Sequence, residues 1–400
     1  MFFACDNIAA MKNAVSETPR NALERVLFAL VALGLMGYAA LTLWLAFGGM
    51  FFPYQLDYGE GIVLWFARQL AHGQPIYFPL GEPYTTSNYP PVYLGLTALG
   101  DGIFGASYVW GRFLNFAATL TATAFIVRLT RGETREWRAA FLAGLIFFGS
   151  TFVYHWAPLL RVDMAGIAFT LAGVWCVRRW ETARQPRALW LGSALVFFLL
   201  ALYTKHSLVF APSAAAAAIF LRDKRAALWF AILLGGIGGA LFLALDVLTR
   251  GGWSFGLIAA NATVWTPRVL LPLLSDFLTT YAAVLLLGAA GWGARVVHAR
   301  RTRDAKKIGV LEIYAAAAAA AILLAGREGA WENYFFEALA LTCVFAGIAL
   351  AQWLRQPRAS RSVCLTKRAR RMNASRRCCA PRQAPLFPKT WACWRRMTSR

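Results

Sequence analysis

Acidic residues are scarce in this chain, 19 against 41 lysines and arginines in 400 residues. All charged residues together reach only 15%, where a soluble domain of this length carries roughly a quarter. The sequence therefore lacks the ionic coat that a water-facing surface needs. Cysteine is also sparse: seven residues, ordinary usage that excludes a disulfide framework. No internal repeat is visible. What abounds is apolar, 59% hydrophobic with a mean hydropathy of +0.50. The net charge of +22 and a pI near 10.3 would point to nucleic acid in a polar protein. A chain this apolar is no nucleic-acid binder, so the position of the charge has to be read first.

Ten runs are long enough to cross, or contribute to crossing, a hydrocarbon core about 30 Å thick. They are 26–48, 109–127, 139–157, 164–177, 188–204, 207–221, 226–248, 278–297, 310–325 and 335–354. Their apolar residues fall all round the helix, as in buried or membrane-spanning helices. The fold class expected is an all-α polytopic membrane protein of about ten spans. Its parts are a cytoplasmic N-terminus (1–25), a multi-span domain (26–354) with an outer loop over 49–108, and a tail (355–400). The first run is too long for the h-region of a cleavable signal and is expected to remain as an anchor.

Lysine and arginine set the orientation. With the N-terminus inside, the segments 1–25, 128–138, 178–187, 222–225, 295–309 and the tail hold 34 of the 41 basic residues. The stretch 91–105, with three glycines and Asp101, would invert everything downstream if it spanned. It is expected as a re-entrant or interface-lying helix on the outer side. The tail alone has 14 basic residues and no acid, with four of the seven cysteines (Cys364, Cys378, Cys379, Cys393). It reads either as a basic segment for anionic headgroups or, in the reading favoured here, as the product of a frameshift in GC-rich DNA.

This topology gathers the unusual residues on one face. Asp57, Glu60, Glu82, Asp101, Asp163, Asp246, Asp276, Glu328, Glu332, His72, His155, His206, Arg161 and Lys205 all fall outside or at outer helix ends. An ion at mid-bilayer costs about 2.5–3.5 kcal/mol on insertion scales, which makes ionisable residues near membrane depth functional candidates. In the first loop, Asp57 and Glu60 stand at the start of an amphipathic stretch carrying Ile62, Trp65, Phe66 and Leu70. Three residues apart, they share a helix face at its positive end. An N-cap and capping box would also account for the pair. Asp57, between aromatic-rich flanks and followed by two glycines, is the stronger candidate for chemistry. The segment Tyr84–Tyr93 then supplies aromatics and a Pro90–Pro91 pair that fixes an extended backbone.

The order of motifs resembles the GT-C class of membrane glycosyltransferases. The nearest likeness is to the bacterial lipid-linked-sugar transferases related to protein O-mannosyltransferases, aminoarabinose transferases and rhizobial lipopolysaccharide-core galacturonosyl transferases. The residues that carry it are the acidic pair after the first span, the Gly73–Tyr77 end of the amphipathic helix and Tyr89-Pro90-Pro91-Val92-Tyr93. Leu160-Arg161-Val162-Asp163, Tyr203-Thr204-Lys205-His206 and the Gly326–Tyr334 loop follow in the same order. The loop 249–277 resembles a family loop packed over the cavity; an interface helix reads the same way.

The resemblance implies an inverting hexosyl or pentosyl transferase of the bacterial inner membrane, with its site on the periplasmic side. The donor would be a polyprenyl-phosphate sugar and the acceptor a cell-envelope lipid, polysaccharide or protein, with membrane lipids around it and no nucleic acid. Asp57 would be the base, with Glu60 assisting or only capping. Lys205 and Arg161 would bind the donor phosphate. Asp163, Tyr89, His206 and Asn333 would bind substrate or a divalent metal, the alternative for Asp163 being to hold Arg161 in place. No metal is assigned. The alternatives are a transporter or lipid-linked-sugar flippase without transferase activity, and a structural membrane protein. The lack of repeats argues against a transporter.

Overall fold

The computed structural model describes residues 19–79, 85–105, 107–182, 187–302, 304 and 307–355, of which 19–25 by backbone alone. Glu82, Tyr84 and the tail beyond Arg355, with the expectations attached to them, lie outside the described residues. The chain divides into two units, Met1–Trp353 and Leu354–Arg400; the description below concerns the first.

The described residues form helices joined by short turns, and the only bridge of β type among them pairs Trp265 with Arg327. In chain order the helices are α1 (Pro19–Met50), α2 (Tyr58–Ala71), α3 (Pro91–Phe104), α4 (Tyr108–Thr134), α5 (Trp137–Phe148), α6 (Thr151–Trp156) and α7 (Asp163–Thr182). Then come α8 (Arg187–Leu202), α9 (Phe210–Phe220), α10 (Lys224–Leu248), α11 (Pro267–Thr280), α12 (Ala282–Arg301), α13 (Val310–Ala321) and α14 (Phe336–Arg355). A helical turn at Gly252–Ser254 runs into a π turn at Phe255–Ala259.

Among the described residues, five helical segments are long and apolar enough to cross a membrane: Val26–Met50, Tyr108–Thr134, Lys224–Leu248, Ala282–Arg301 and Glu332–Arg355. Shorter apolar helices over 137–148, 187–202, 210–220 and 310–326 complete the bundle. Two of the ten expected runs are broken. The run 139–157 divides at Ser150, whose extended backbone (φ −70°, ψ 145°) separates α5 from α6. The run 278–297 begins inside α11, and Tyr281 (φ −107°, ψ 15°) divides α11 from α12. Hydropathy registers apolar length and is blind to such breaks.

Burial follows position in the bundle. Helix α7 is buried round almost its whole circumference, packed on α8 and α4, and α14 is buried along most of its length. Helix α1 is buried at Ala39, Thr42, Ala46 and Met50, one face at helical spacing, while Leu30, Leu33, Trp44 and Phe47 stay exposed. Helix α10 likewise exposes Leu228, Ile232, Leu243 and Val247. Apolar surface of this extent is stable only against lipid, and the chain is a multi-pass membrane protein.

The stretch 91–105 forms the 14-residue α3, capped by Pro90 and lying against α2. At 1.5 Å per residue it is roughly 21 Å long, short of a hydrocarbon core. Asp101 faces Arg68 on α2 (3.7 Å) and His72 at its C-cap (3.9 Å), so the two short helices are tied together. A separate apolar cluster holds them down, built from Val63, Phe66, Tyr93, Leu94, Leu160 and Val162 among others.

Candidate active site

The site assembles where the start of α2, the turn between α6 and α7, the turn after α8 and the start of α14 meet. Asp57 caps α2: its extended backbone (φ −140°, ψ 143°) lets Oδ2 accept from the Gly59 amide at 3.1 Å. The same oxygen accepts from Arg161 Nη1 at 3.0 Å. Oδ1 has no hydrogen-bond partner among the described residues, and the side chain is 26% exposed. Gly59 makes this contact possible, because a Cβ there would lie 1.4 Å from Arg161 Nη1.

Glu60, expected either to assist the base or only to cap the helix, has a different environment. It is fully buried, and Arg112 grips it with Nε (2.9 Å) and Nη2 (2.8 Å). The amides of Leu56 (2.6 Å) and Leu160 (2.7 Å) donate to its two oxygens as well. Four donors leave neither oxygen free to take a substrate proton. The pair is also more than a capping box, because the amide bonded is that of Leu56 and not that of the N-cap. Arg112 further donates to the carbonyls of Gly49, Phe52 and Tyr54. One buried arginine thus folds the entry of the first loop around the end of α1.

Arg161 lies over the Trp156 ring (4.9 Å to the centroid), with Nε 3.9 Å from Asp163 Oδ2. Asp163, the first residue of α7, accepts on Oδ1 from Lys205 Nζ (2.6 Å) and Asn333 Nδ2 (2.8 Å). Lys205 sits over the Tyr334 ring at 4.8 Å. Burial favours its neutral amine, but Asp163 outweighs that and holds its pKa above the ordinary lysine value. Tyr89 lies close to Arg161, Asp163 and Lys205, and its phenol is pushed up by burial, so it is protonated and a donor at neutral pH. His206 is pushed down to about 4 by burial and by the neighbouring Lys205 and Arg327, so it is neutral there.

Asp57, Arg161, Asp163, Lys205, Tyr89, His206 and Asn333 therefore come together, and Glu60 stands behind them as framework. Several polar atoms at this place are buried without partners: Arg161 Nε, Asp163 Oδ2, Asn333 Oδ1 and His206 Nδ1. Native proteins leave few such atoms, and a cluster of them marks a place where a ligand completes the bonding. Among the described residues, no three His, Cys, Asp or Glu side chains group to hold a metal ion.

Three participants were not singled out in the sequence. Arg112 is the partner of Glu60. Trp156 supports Arg161 and donates its indole N–H to Glu332 Oε2 (3.0 Å), whose Oε1 meets His155 (3.2 Å). Glu337, on α14 one turn after Asn333, is buried beside the Tyr314 hydroxyl. A signal existed for two of them: Arg112 and Glu337 are ionisable residues inside apolar runs. For Trp156 no signal distinguished it from the other fifteen tryptophans.

The loop 249–277 closes round the site. Trp253 stacks on Tyr203 (6.0 Å, 4°) and meets Tyr77 edge-on, and Asn261 donates to the Asn88 carbonyl at 3.1 Å. Trp265 donates to the Leu323 carbonyl at 2.8 Å. The loop is thereby tied to the first loop on one side and to the segment before Arg327 on the other. Glu328 is exposed. Below Tyr93 an apolar cavity of about 220 Å³ runs between α3, α4, α7 and α8, lined by Leu114, Phe125, Ala165, Phe169 and Phe197.

Residues 88–249 match the family model of dolichyl-phosphate-mannose-protein mannosyltransferases. The fold is similar to that of ArnT from Cupriavidus metallidurans in the apo state: TM-score 0.59, 16% identity, over 80% of this chain and 60% of that one. The same protein bound to undecaprenyl phosphate matches with a TM-score of 0.58, 16% identity and coverages of 79% and 59%. The oligosaccharyltransferase of Archaeoglobus fulgidus, in complex with Zn and sulfate, matches at 0.56 and 15% identity, over 80% of this chain and 48% of that one. The chain thus spans about three fifths of the length of ArnT. No curated protein sequence matches it. The fold is that of the GT-C class of membrane glycosyltransferases, in agreement with the resemblance drawn from the motifs.

Proposed function

We propose that this protein transfers a sugar from a polyprenyl-phosphate donor to a lipid, polysaccharide or protein hydroxyl at the periplasmic face of the inner membrane. The observation that carries the reading is the single file Asp57, Arg161, Asp163, Lys205 at one end of the bundle, with unbonded polar atoms along it. In the proposed step the acceptor oxygen bonds to the anomeric carbon as the bond from that carbon to the phosphate oxygen breaks. The configuration inverts, polyprenyl phosphate leaves, and the acceptor proton passes to Asp57 Oδ1. A base must lie within hydrogen-bond reach of that proton, and Oδ1 is the carboxylate oxygen here that is both unbonded and accessible.

Charge grows on the leaving phosphate as the bond breaks, and fixed cations in a dry site stabilise it without reorganising. Lys205 and Arg161 are held for that task by Asp163, Asp57, Tyr334 and Trp156. Tyr89 offers a neutral hydroxyl donor beside them. The apolar cavity under Tyr93 starts two residues beyond Asp163 and supports placing part of the prenyl chain between helices.

Transfer of labelled sugar from a polyprenyl-phosphate donor to membrane acceptors tests the reading. The expected result is that Asp57→Asn loses at least about 10²-fold in rate, the lower range for removal of a general base, while folding as the wild type does. Transfer by Asp57→Asn at the wild-type rate removes Asp57 from the mechanism.

A further inference from the structure

We propose that the end of the bundle opposite Asp57 carries a second binding site, a basic pocket that takes a phosphate-bearing anion. The candidate active site lies at the start of α7, at Asp163. The pocket lies at its other end, at Arg178 and Glu181, roughly 25 Å away at 1.5 Å per residue. It encloses about 810 Å³ between the end of α7, the start of α8, the end of α12, the turn before α13 and the end of α14. That is space for a group the size of a phospholipid headgroup or a diphosphate.

The lining is built in two tiers. Behind the wall, three buried carboxylates hold three arginines in place. Glu133 is bonded by Arg178 Nε, by Arg178 Nη2 at 3.0 Å and by Arg295 Nη1 at 2.6 Å. Glu181 takes Arg178 Nη1 (2.9 Å) and Arg222 Nη1 (3.2 Å), and Glu312 takes Arg295 Nε. The Glu181 and Glu312 carboxylates also accept from the Val310 and Gly309 amides (2.9 and 2.7 Å), so the tier is fixed to the backbone.

In front of it stand Arg187, Lys307 and His298, which make no ion pair among the described residues. Arg187 is stacked on Trp180 at 4.6 Å, and its Nε is buried without a hydrogen-bond partner. The five arginines and lysines of the lining thus exceed the three carboxylates by two. A guanidinium held over an indole in the lining of a cavity suits the planar pairing of arginine with phosphate oxygens. The excess charge lies where the helices end, the depth at which basic pockets between spanning helices meet anionic headgroups.

The phosphate can arrive as a lipid headgroup or as a soluble phosphate, and two arms separate them. Full-length protein in detergent is first tested by native mass spectrometry for retention of phosphatidylglycerol against phosphatidylcholine. Inorganic pyrophosphate is then tested for displacing the lipid and for raising Tm. Selective retention that pyrophosphate does not disturb identifies a headgroup, and displacement with a raised Tm identifies a soluble phosphate.

In either case Arg187→Gln with Lys307→Gln is expected to weaken binding about tenfold or more, as loss of two near-surface cations does. Lys307→Arg alone is expected to bind as the wild type, because it keeps the charge and leaves Arg187 on Trp180. Lys307→Gln alone, at an exposed position, keeps the test independent of folding. Asp57→Asn is expected to bind as the wild type, which separates this site from the proposed sugar transfer. Equal binding by the double Gln variant overturns the proposal. So does a wild type that holds both lipids alike and does not respond to pyrophosphate.

Discussion

Two carboxylates one helical turn apart have opposite fates because of their neighbours. Glu60 has four donors and no exposure, and Asp57 keeps one oxygen unbonded on a partly exposed side chain. The spacing of the pair allowed capping and chemistry for both, because periodicity fixes a shared face and says nothing of what packs against it. Arg112 and Leu160, 52 and 100 residues away, made the decision. Gly59 is the residue through which this can be tested without touching a charge. A methyl group there must push the Arg161 guanidinium, the far end of a flexible side chain, so the fold tolerates it and the Asp57–Arg161 contact does not. Gly59→Ala is expected to lower sugar transfer by about 10²-fold, the scale of a 1 Å misplacement in an active site, with an almost unchanged Tm. Transfer at the wild-type rate would show that the contact is dispensable.

At the scale of elements, apolar length was legible and breaks were not. The runs 26–48, 109–127, 226–248 and 335–354 each lie within a helix long enough to span. The breaks at Ser150 and Tyr281 fall inside apolar sequence, and each is held by a tertiary bond: Tyr281 Oη lies 2.7 Å from Thr151 Oγ1 and accepts from the Phe152 amide at 3.0 Å. Close helix packing follows the same rule. In α12, a Cβ at Gly288 would lie 2.8 Å from Thr342, and one at Gly291 would lie 2.2 Å from the Phe345 carbonyl oxygen. Small residues let helix backbones approach within a membrane, whereas Gly293 on the same helix meets nothing within 4 Å. Gly291→Leu is expected to cost about 1–3 kcal/mol, the usual range for overpacking, seen as a lower Tm in detergent. Gly293→Leu is expected to be silent. Equal effects at the two positions would contradict the α12–α14 contact.

The whole molecule is polarised along the helices, with the partly unbonded Asp57 site at one end and an arginine-rich pocket at the other. Under the proposed orientation, Tyr58→Cys is expected to react with an impermeant maleimide in intact cells, and Arg301→Cys only after permeabilisation, in a chain whose other cysteines are serine. Both side chains are exposed. The reverse pattern would place the candidate site on the cytoplasmic side and overturn the proposed periplasmic transfer.

What the sequence determined by itself was the solvent and the order of parts. Few charges, long apolar runs and a set of motifs in fixed order are properties of the linear chain, since partition into lipid depends on composition over about 20 residues. The tertiary structure alone decided which ionisable side chains are framework and which are left with unused valence. Trp156 became visible only there, and so did the partners of Arg112 and Glu337. A buried charge is tolerated or reactive according to the donors that surround it, and those donors come from helices far apart in sequence.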